Sequence, residues 1–158
     1  ATWKRVPEIY RRDTAVAGAA AAAFHALGRC AEAQEVIERS LESDWDGGLV
    51  NLYGECSGPD TLRQIERAER WLKDHRADGM LLLALGRLCA RQQLWGKAQS
   101  YLEASIAIEP TCSAHLELAR LHEQLDRPDA ARAQYRASLD LALAQLDRLS
   151  GGRRRKAL

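Results

Sequence analysis

The sequence predicts an all-α fold in which helical hairpins stack side by side. Alanine and leucine dominate the 158 residues, aromatic residues make up only 6%, and β-branched residues are sparse. This composition favours helix over strand, and a hydrophobic content of 46% is enough for a continuous core. The second observation is an internal repeat, because one spacing of small and apolar residues occurs three times.

The repeat is a ladder that begins at a small or buried residue and continues in steps of +3, +9, +4 and +3. Two antiparallel helices approach closely only where side chains are small, so Ala33, Ala98 and Ala131 are expected at the helix contacts. The spacing is typical of tetratricopeptide repeats and predicts a right-handed superhelix of about four helical hairpins, because one more hairpin fits between the first two copies. The three copies are Ala21, Phe24, Ala33, Ile37 and Ser40; Gly86, Cys89, Ala98, Leu102 and Ser105; and Ala119, His122, Ala131, Tyr135 and Ser138.

Glycine and proline mark the turns between the predicted helices. The segments 27–29, 93–96 and 125–128, which contain Gly28, Gly96 and Pro128, fall midway through the +9 step, where the two helices of a hairpin must be joined. The last helix is longer than the others and is expected to cover the open end of the stack. The predicted helices cover about 7–27, 29–43, 47–56, 60–75, 79–92, 95–108, 112–125 and 128–149. They form hairpins at about 7–43, 47–75, 79–108 and 112–149, within a repeat domain of residues 1–149.

The charges are balanced and interspersed, which argues against a general nucleic-acid-binding surface. The chain has 23 basic and 22 acidic residues, a formal net charge of +1. The exception is Arg153-Arg154-Arg155-Lys156, which follows two glycines, so residues 150–158 are expected to form a disordered basic tail. Four such charges would also favour an anionic lipid surface.

The four cysteines contain no C-x-x-C pair, a pattern that does not support a zinc ribbon or a redox dithiol. A chain of this size can bury its own core, and Cys30, Cys56, Cys89 and Cys112 lie within apolar helical patterns. We therefore expect reduced, buried thiols in the cytoplasm. No run of 18 apolar residues predicts a membrane-spanning helix, and the missing initial methionine suggests a piece of a longer protein.

Two segments closely resemble a known family. Residues 81–88 (LLLALGRL) and 93–105 (QLWGKAQSYLEAS) are similar to the C-terminal tetratricopeptide region of the proteobacterial HemY family, and the similarity covers most of residues 45–140. The resemblance implies the cytoplasmic repeat domain of an inner-membrane protein associated with late haem biosynthesis. It also implies attachment through N-terminal membrane helices that precede this sequence, and partners among haem-pathway or membrane-associated proteins.

In tetratricopeptide arrays the first helix of each hairpin lines a concave groove, so its inward positions are candidate partner-binding residues. Arg87 and Arg91 lie at i and i+4, a like-charge pair that is unfavourable without an anion between them. Together with Arg120 they would bind the carboxylates of an acidic peptide through bidentate hydrogen bonds. In the alternative, Glu117 and Glu123 neutralise Arg120 within its own helix. The candidate residues are His25, Arg87, Arg91, Glu117, Arg120, Glu123 and Gln124.

The sequence contains no nucleophile elbow, phosphate-binding glycine loop or HExxH motif. It therefore predicts a non-catalytic scaffold that binds a protein or peptide and needs no cofactor. The alternative is a sensor that binds haem or a porphyrin through His25 or His75. Cys112, His115 and His122 outline a metal site, but no second thiol or carboxylate completes it at a recognisable spacing.

Overall fold

The computed structural model describes residues 2–156, and the side chains of residues 2–151. Within residues 2–156 every regular element is helical, which confirms the all-α fold. A short 3-10 turn at Trp3–Arg5 precedes α1 (Glu8–Arg11), α2 (Thr14–Ala26), α3 (Cys30–Ser43), α4 (Gly47–Glu55), α5 (Thr61–Leu72), α6 (Gly79–Arg91), α7 (Trp95–Ile108), α8 (Cys112–Gln124) and α9 (Pro128–Lys156). None of these helices is long and apolar enough to cross a membrane.

The helices pack as a stack of hairpins. The pairs α2 with α3, α6 with α7 and α8 with α9 form close hairpins, and the first helices α2, α4, α6 and α8 follow one another along one face. Ala33 and Ala98 are fully buried and Ala131 is 3% exposed, as the ladder predicts. A Cβ added to Gly86 would lie 2.6 Å from Leu102 Cγ, so the third hairpin needs glycine at the first ladder position.

In two of the three hairpins with the ladder, the serine hydroxyl at the last position joins the two ends of the hairpin. Ser105 Oγ donates to the carbonyl of Gly79 at 2.7 Å, and Ser138 Oγ donates to the carbonyl of Cys112 at 2.9 Å. In both hairpins the acceptor belongs to the first residue of the first helix. Ser40 is fully buried in the first hairpin, but its Oγ has no hydrogen-bond partner in the described structure.

The turns of these three hairpins share one conformation, with a left-handed residue at Gly28 (φ 69°), Gln93 (φ 57°) and Asp126 (φ 53°). In each turn the next amide donates to the carbonyl five residues back, the bond that defines a Schellman cap. The bonds are Arg29 to Phe24 at 2.8 Å, Leu94 to Cys89 at 2.9 Å and Arg127 to His122 at 2.9 Å. All three turns lie in the predicted segments, and the left-handed residue is glycine in the first turn, glutamine in the second and aspartate in the third.

The second hairpin departs from this pattern because α4 packs mainly against α6 rather than against its own partner α5. The helices α4 and α6 approach most closely where a Cβ on Gly54 would lie 2.6 Å from Ala84 Cα. Side chains hold α5 to the end of α4, since Gln64 Nε2 donates to the carbonyls of Tyr53 at 2.7 Å and Cys56 at 3.0 Å.

A disulfide joins the first two hairpins, and the prediction of four reduced thiols is wrong. Cys30 begins α3 and Cys56 follows α4, and their Cα atoms lie 5.4 Å apart in a bonded pair. The short α4 ends beside the start of α3. This proximity could not be predicted, because the ladder positions of the second hairpin were not assigned from the sequence. Cys89 and Cys112 are free. The argument for a reducing compartment therefore loses its basis.

Both ends of the array differ from the predicted boundaries. The first predicted helix is broken, because α1 ends at Arg11 and the Asp13 carboxylate caps α2 by accepting from Ala15 N at 2.9 Å and Val16 N at 3.1 Å. At the other end, α9 runs to Lys156, so residues 150–156 continue the helix where a disordered tail was expected. Residues 157–158 lie outside the described residues.

Candidate partner-binding groove

The stacked first helices α4, α6 and α8 carry a polar network on their inner face. We call Asn51, Glu55, Arg87, Glu117 and Arg120 the inner polar network. The side chain of Arg87 is 9% exposed and lies at its centre. Its Nε donates to Glu117 Oε1 at 3.2 Å, its Nη1 donates to Asn51 Oδ1 at 2.9 Å, and Glu55 Oε1 lies 3.8 Å from Nη1. Three successive hairpins are thus joined through one guanidinium group.

Arg91 lies one turn later on α6 and caps the end of α4. Its Nη1 donates to the carbonyl of Gly54 at 2.7 Å and to Ser57 Oγ at 2.9 Å, and its Nη2 donates to the carbonyl of Glu55 at 2.9 Å. The last carbonyls of a helix have no partner within the helix, so these bonds satisfy them. Desolvation of the guanidinium lowers the pKa of Arg91, an effect that the charge of Glu117 opposes.

Glu117 neutralises two arginines. Its Oε1 accepts from Arg87 and, at 3.4 Å, from Nη1 of Arg120 on the next turn of α8. The Arg120 side chain is 59% exposed, so it remains available to a partner. Glu123 takes a different role from the predicted one, because its Oε2 accepts from the Tyr135 hydroxyl at 2.7 Å. This hydrogen bond to a carboxylate raises the pKa of Tyr135.

The remaining candidates lie away from the inner polar network. Gln124 is exposed at the end of α8. His25 is partly exposed on α2, whose neighbouring inward positions Ala19, Ala22 and Ala26 are exposed alanines. The groove therefore changes along the stack from a smooth alanine surface on α2 to a charged surface on α6 and α8.

The histidines proposed for haem or metal have the following surroundings. The His75 ring stacks on Trp45 with centroids 3.7 Å apart and an interplanar angle of 7°. His115 Nδ1 lies 2.7 Å from Gln134 Oε1, and His122 is 7% exposed with a buried Nδ1 that has no hydrogen-bond partner within the described side chains. No observation brings a second ligand to His25 or His75, and haem binding stays a prediction.

Sequence reasoning missed the contribution of the second hairpin to the groove. Arg87 contacts Asn51 and Glu55, and Arg91 contacts Ser57. The ladder positions of the second hairpin were not assigned from the sequence, so these three residues could not be placed in the groove. The available signal was the spacing of Asn51 and Glu55, which are i and i+4 on α4 and are joined by a 2.9 Å hydrogen bond.

The hairpin stack, the ladder contacts and the inner face lined by first helices define a tetratricopeptide-type superhelix. A family profile described as tetratricopeptide repeat matches residues 113–145, which span most of α8 and the first part of α9. Comparison with curated protein sequences finds no significant match.

Solved structures of MamA share this fold. A crystal structure of MamA has a TM-score of 0.63 and 14% identity, and the match covers 92% of this chain and 87% of that chain. A structure described as MamA MSR-1 C2 has a TM-score of 0.60 and 14% identity, with 90% and 84% covered. The MamA RS-1 ArsTM double mutant has a TM-score of 0.58 and 16% identity, with 91% and 82% covered. Likeness at this level of identity establishes the fold alone.

Proposed function

We propose that this chain is a non-catalytic scaffold that binds a protein partner in the groove lined by α2, α4, α6 and α8. The observation that carries the proposal is the inner polar network, in which the buried Arg87 joins Asn51 on α4 to Glu117 on α8. A groove whose helices are already fixed to one another binds with little loss of conformational entropy. Preformed grooves between stacked helices are suited to peptide capture.

The charged part of the groove favours an acidic segment of the partner. Three guanidinium groups, of Arg87, Arg91 and Arg120, lie near the carboxylates of Glu55 and Glu117, whereas the carboxylate of Glu123 accepts a hydrogen bond from Tyr135. Arg120 is the most exposed member of the network and would present its free donors to a carboxylate. The exposed alanines of α2 would accept an apolar part of the same partner, because they offer a smooth surface without charge.

A finer assignment rests on the resemblance of residues 81–88 and 93–105 to the HemY family. It would make the chain the repeat domain of a HemY-like inner-membrane protein, with haem-pathway or membrane-associated proteins as its partners. Crosslinking the intact protein in cells, followed by identification of the crosslinked partners by mass spectrometry, tests this assignment. Partners outside haem synthesis would argue against it and would leave the scaffold function standing.

Charge reversal at the exposed arginine tests the groove directly. Arg120→Glu should weaken binding of acidic peptides at least about tenfold, because it adds repulsion where a carboxylate is to be held. The matched control is Arg39→Glu on α3, whose side chain is 67% exposed and pairs only within its own helix with Glu35 at 2.9 Å. Fluorescence anisotropy with an array of acidic, neutral and basic peptides gives the affinities. Equal affinities of the two variants for every peptide would reject the groove as the binding site.

A further inference from the structure

The second half of α9 projects beyond the helix on which it packs. The helix α9 has 29 residues, whereas its hairpin partner α8 has 13. Every residue from Leu143 to Gly151 is exposed, so this part of α9 has no cover within the described structure. The exposed fractions are 58% for Leu139, 51% for Leu143, 60% for Leu146 and 60% for Leu149. The predicted role of this helix as a cover for the open end of the stack does not account for these leucines.

The leucines form one face that is flanked by arginines. Steps of four and three residues place Leu139, Leu143 and Leu146 within about 60° of each other around the helix, with Leu149 at the edge of the same face. The exposed Arg132 and Arg136 precede them on this face. The helix continues to Lys156, and the sequence after the leucines contains the basic run at 153–156. An exposed apolar helix face with basic residues near it is a feature of helices that lie on anionic membranes.

The charge pattern favours an anionic surface over a second copy of the chain. In an antiparallel pair centred on the leucines, Asp140 of one copy would lie beside Asp147 of the other. In a parallel pair the two basic runs at 153–156 would lie side by side. Four leucines that are already about half covered also fall short of the roughly 800 Å² per partner that a stable dimer buries. Between residues 140 and 156 five cationic residues outnumber two carboxylates, which matches an anionic lipid surface.

We propose that the projecting half of α9, residues 139–156, lies in the plane of an anionic membrane surface. The leucine side chains enter the boundary between head groups and acyl chains, and the excess positive charge of this segment attracts the lipid phosphates. Such a helix attaches the repeat array at its α9 end and leaves the groove of α2, α4, α6 and α8 facing other partners. This surface is separate from the groove and does not depend on it.

Flotation with lipid vesicles tests the proposal on the full chain. Vesicles that contain phosphatidylglycerol should bind the protein, vesicles of phosphatidylcholine alone should bind it at least tenfold less, and high salt should release it, because screening weakens contacts to exposed charges. The double variant Leu143→Asp, Leu146→Asp should lose at least tenfold in binding. Replacing Arg153 and Arg154 by Glu should have a similar effect. These positions are exposed or terminal, so circular dichroism should show unchanged helix content.

Leu62→Asp on α5 is the matched control, since Leu62 is 55% exposed on another helix and should not affect flotation. Three results would overturn the proposal. The first is equal binding to the two kinds of vesicle, and the second is an equal effect of Leu62→Asp and of the α9 leucine variant. The third is a dimer in sedimentation equilibrium that the α9 variant dissociates while no vesicle binds, which would assign the leucine face to a second copy.

Discussion

Arg87 on α6 and Glu117 on α8 form an ion pair between neighbouring hairpins, with 3.2 Å between Nε and Oε1. The two side chains are only 9% and 21% exposed, so the pair lies largely out of water. A guanidinium in such a place is stable only with its acceptors present. The residue that sequence analysis assigned to partner binding therefore also holds the array together.

Removal of this guanidinium should destabilise the fold. We expect Arg87→Ala to lower the free energy of unfolding by about 3 kcal/mol, because Glu117 and Asn51 lose their donor in a poorly hydrated place. Arg39→Ala, at a side chain that is 67% exposed, should change it by less than about 0.5 kcal/mol. Urea denaturation followed by circular dichroism measures both. Similar decreases in the free energy of unfolding for the two variants would contradict a structural role of Arg87. Partner binding would then be the only role assigned to this residue.

The left-handed turn residues offer a stabilising substitution. Gln93 has a φ of 57°, a conformation that glycine adopts without steric cost. Gln93→Gly should therefore raise the free energy of unfolding by about 0.5–1 kcal/mol. The control is Gln92→Gly at the preceding residue, where φ is −89° and glycine adds only flexibility to the unfolded chain. If the midpoint of urea unfolding falls for both variants, the Gln93 side chain makes a contact whose loss costs more than the steric strain that glycine removes.

The sequence allowed the repeated hairpins to be predicted better than the site between them. Ala33, Ala98 and Ala131 were identified because close helix packing leaves small residues at fixed spacing, a local signal. Glu123 was a candidate for partner binding, with neutralisation of Arg120 as the alternative, but its carboxylate accepts a hydrogen bond from Tyr135 of α9. The Cys30–Cys56 bond depends on the position of a short helix that lacks the ladder. Contacts between hairpins follow from three-dimensional stacking, which residue spacing within one hairpin does not determine.

The close approach of α4 and α6 makes Gly54 sensitive to a single methyl group. A Cβ at this position would lie 2.6 Å from Ala84 Cα, so Gly54→Ala should push the two helices apart and cost about 1–3 kcal/mol or more. Gly96→Ala is the control, because a Cβ there meets nothing within 4 Å and lies in the first turn of α7. Helix propensity predicts that this control is stabilised by up to about 1 kcal/mol. Opposite signs of the two changes in thermal unfolding are expected, and a neutral Gly54→Ala would contradict the packing of α4 on α6.

The disulfide makes a quantitative prediction about thiols and stability. Without reductant, two thiols of the unfolded protein, those of Cys89 and Cys112, should react with a thiol reagent, and after reduction four should react. Because the bond closes a loop between residues 26 apart in the chain, reduction should lower the free energy of unfolding by about 3 kcal/mol. The double variant Cys30→Ser, Cys56→Ser should unfold at the same urea concentration with and without reductant. Four reactive thiols before reduction would contradict the bond.

The buried thiol of Cys89 should make stability depend on alkaline pH. Burial raises the pKa of this thiol from 9.0 to about 11, and the charge of Glu69 adds to the effect. The folded state therefore keeps its proton where the unfolded state releases it, so this contribution is fully present below pH 9 and is lost as pH rises towards 11. At pH 10 the loss should be about 1 kcal/mol. Burial also raises the pKa of Tyr53 and Tyr101, which adds a loss of the same sign at higher pH.

Cys89→Ala separates the thiol from the tyrosines. The variant will be less stable at every pH because it leaves a small cavity, so the informative quantity is the fall in unfolding free energy between pH 8 and pH 10. That fall should be about 1 kcal/mol smaller in Cys89→Ala than in the unaltered protein, because the variant lacks the group that ionises on unfolding. An equal fall in the two proteins would contradict a raised pKa of the Cys89 thiol, which is fully buried on α6.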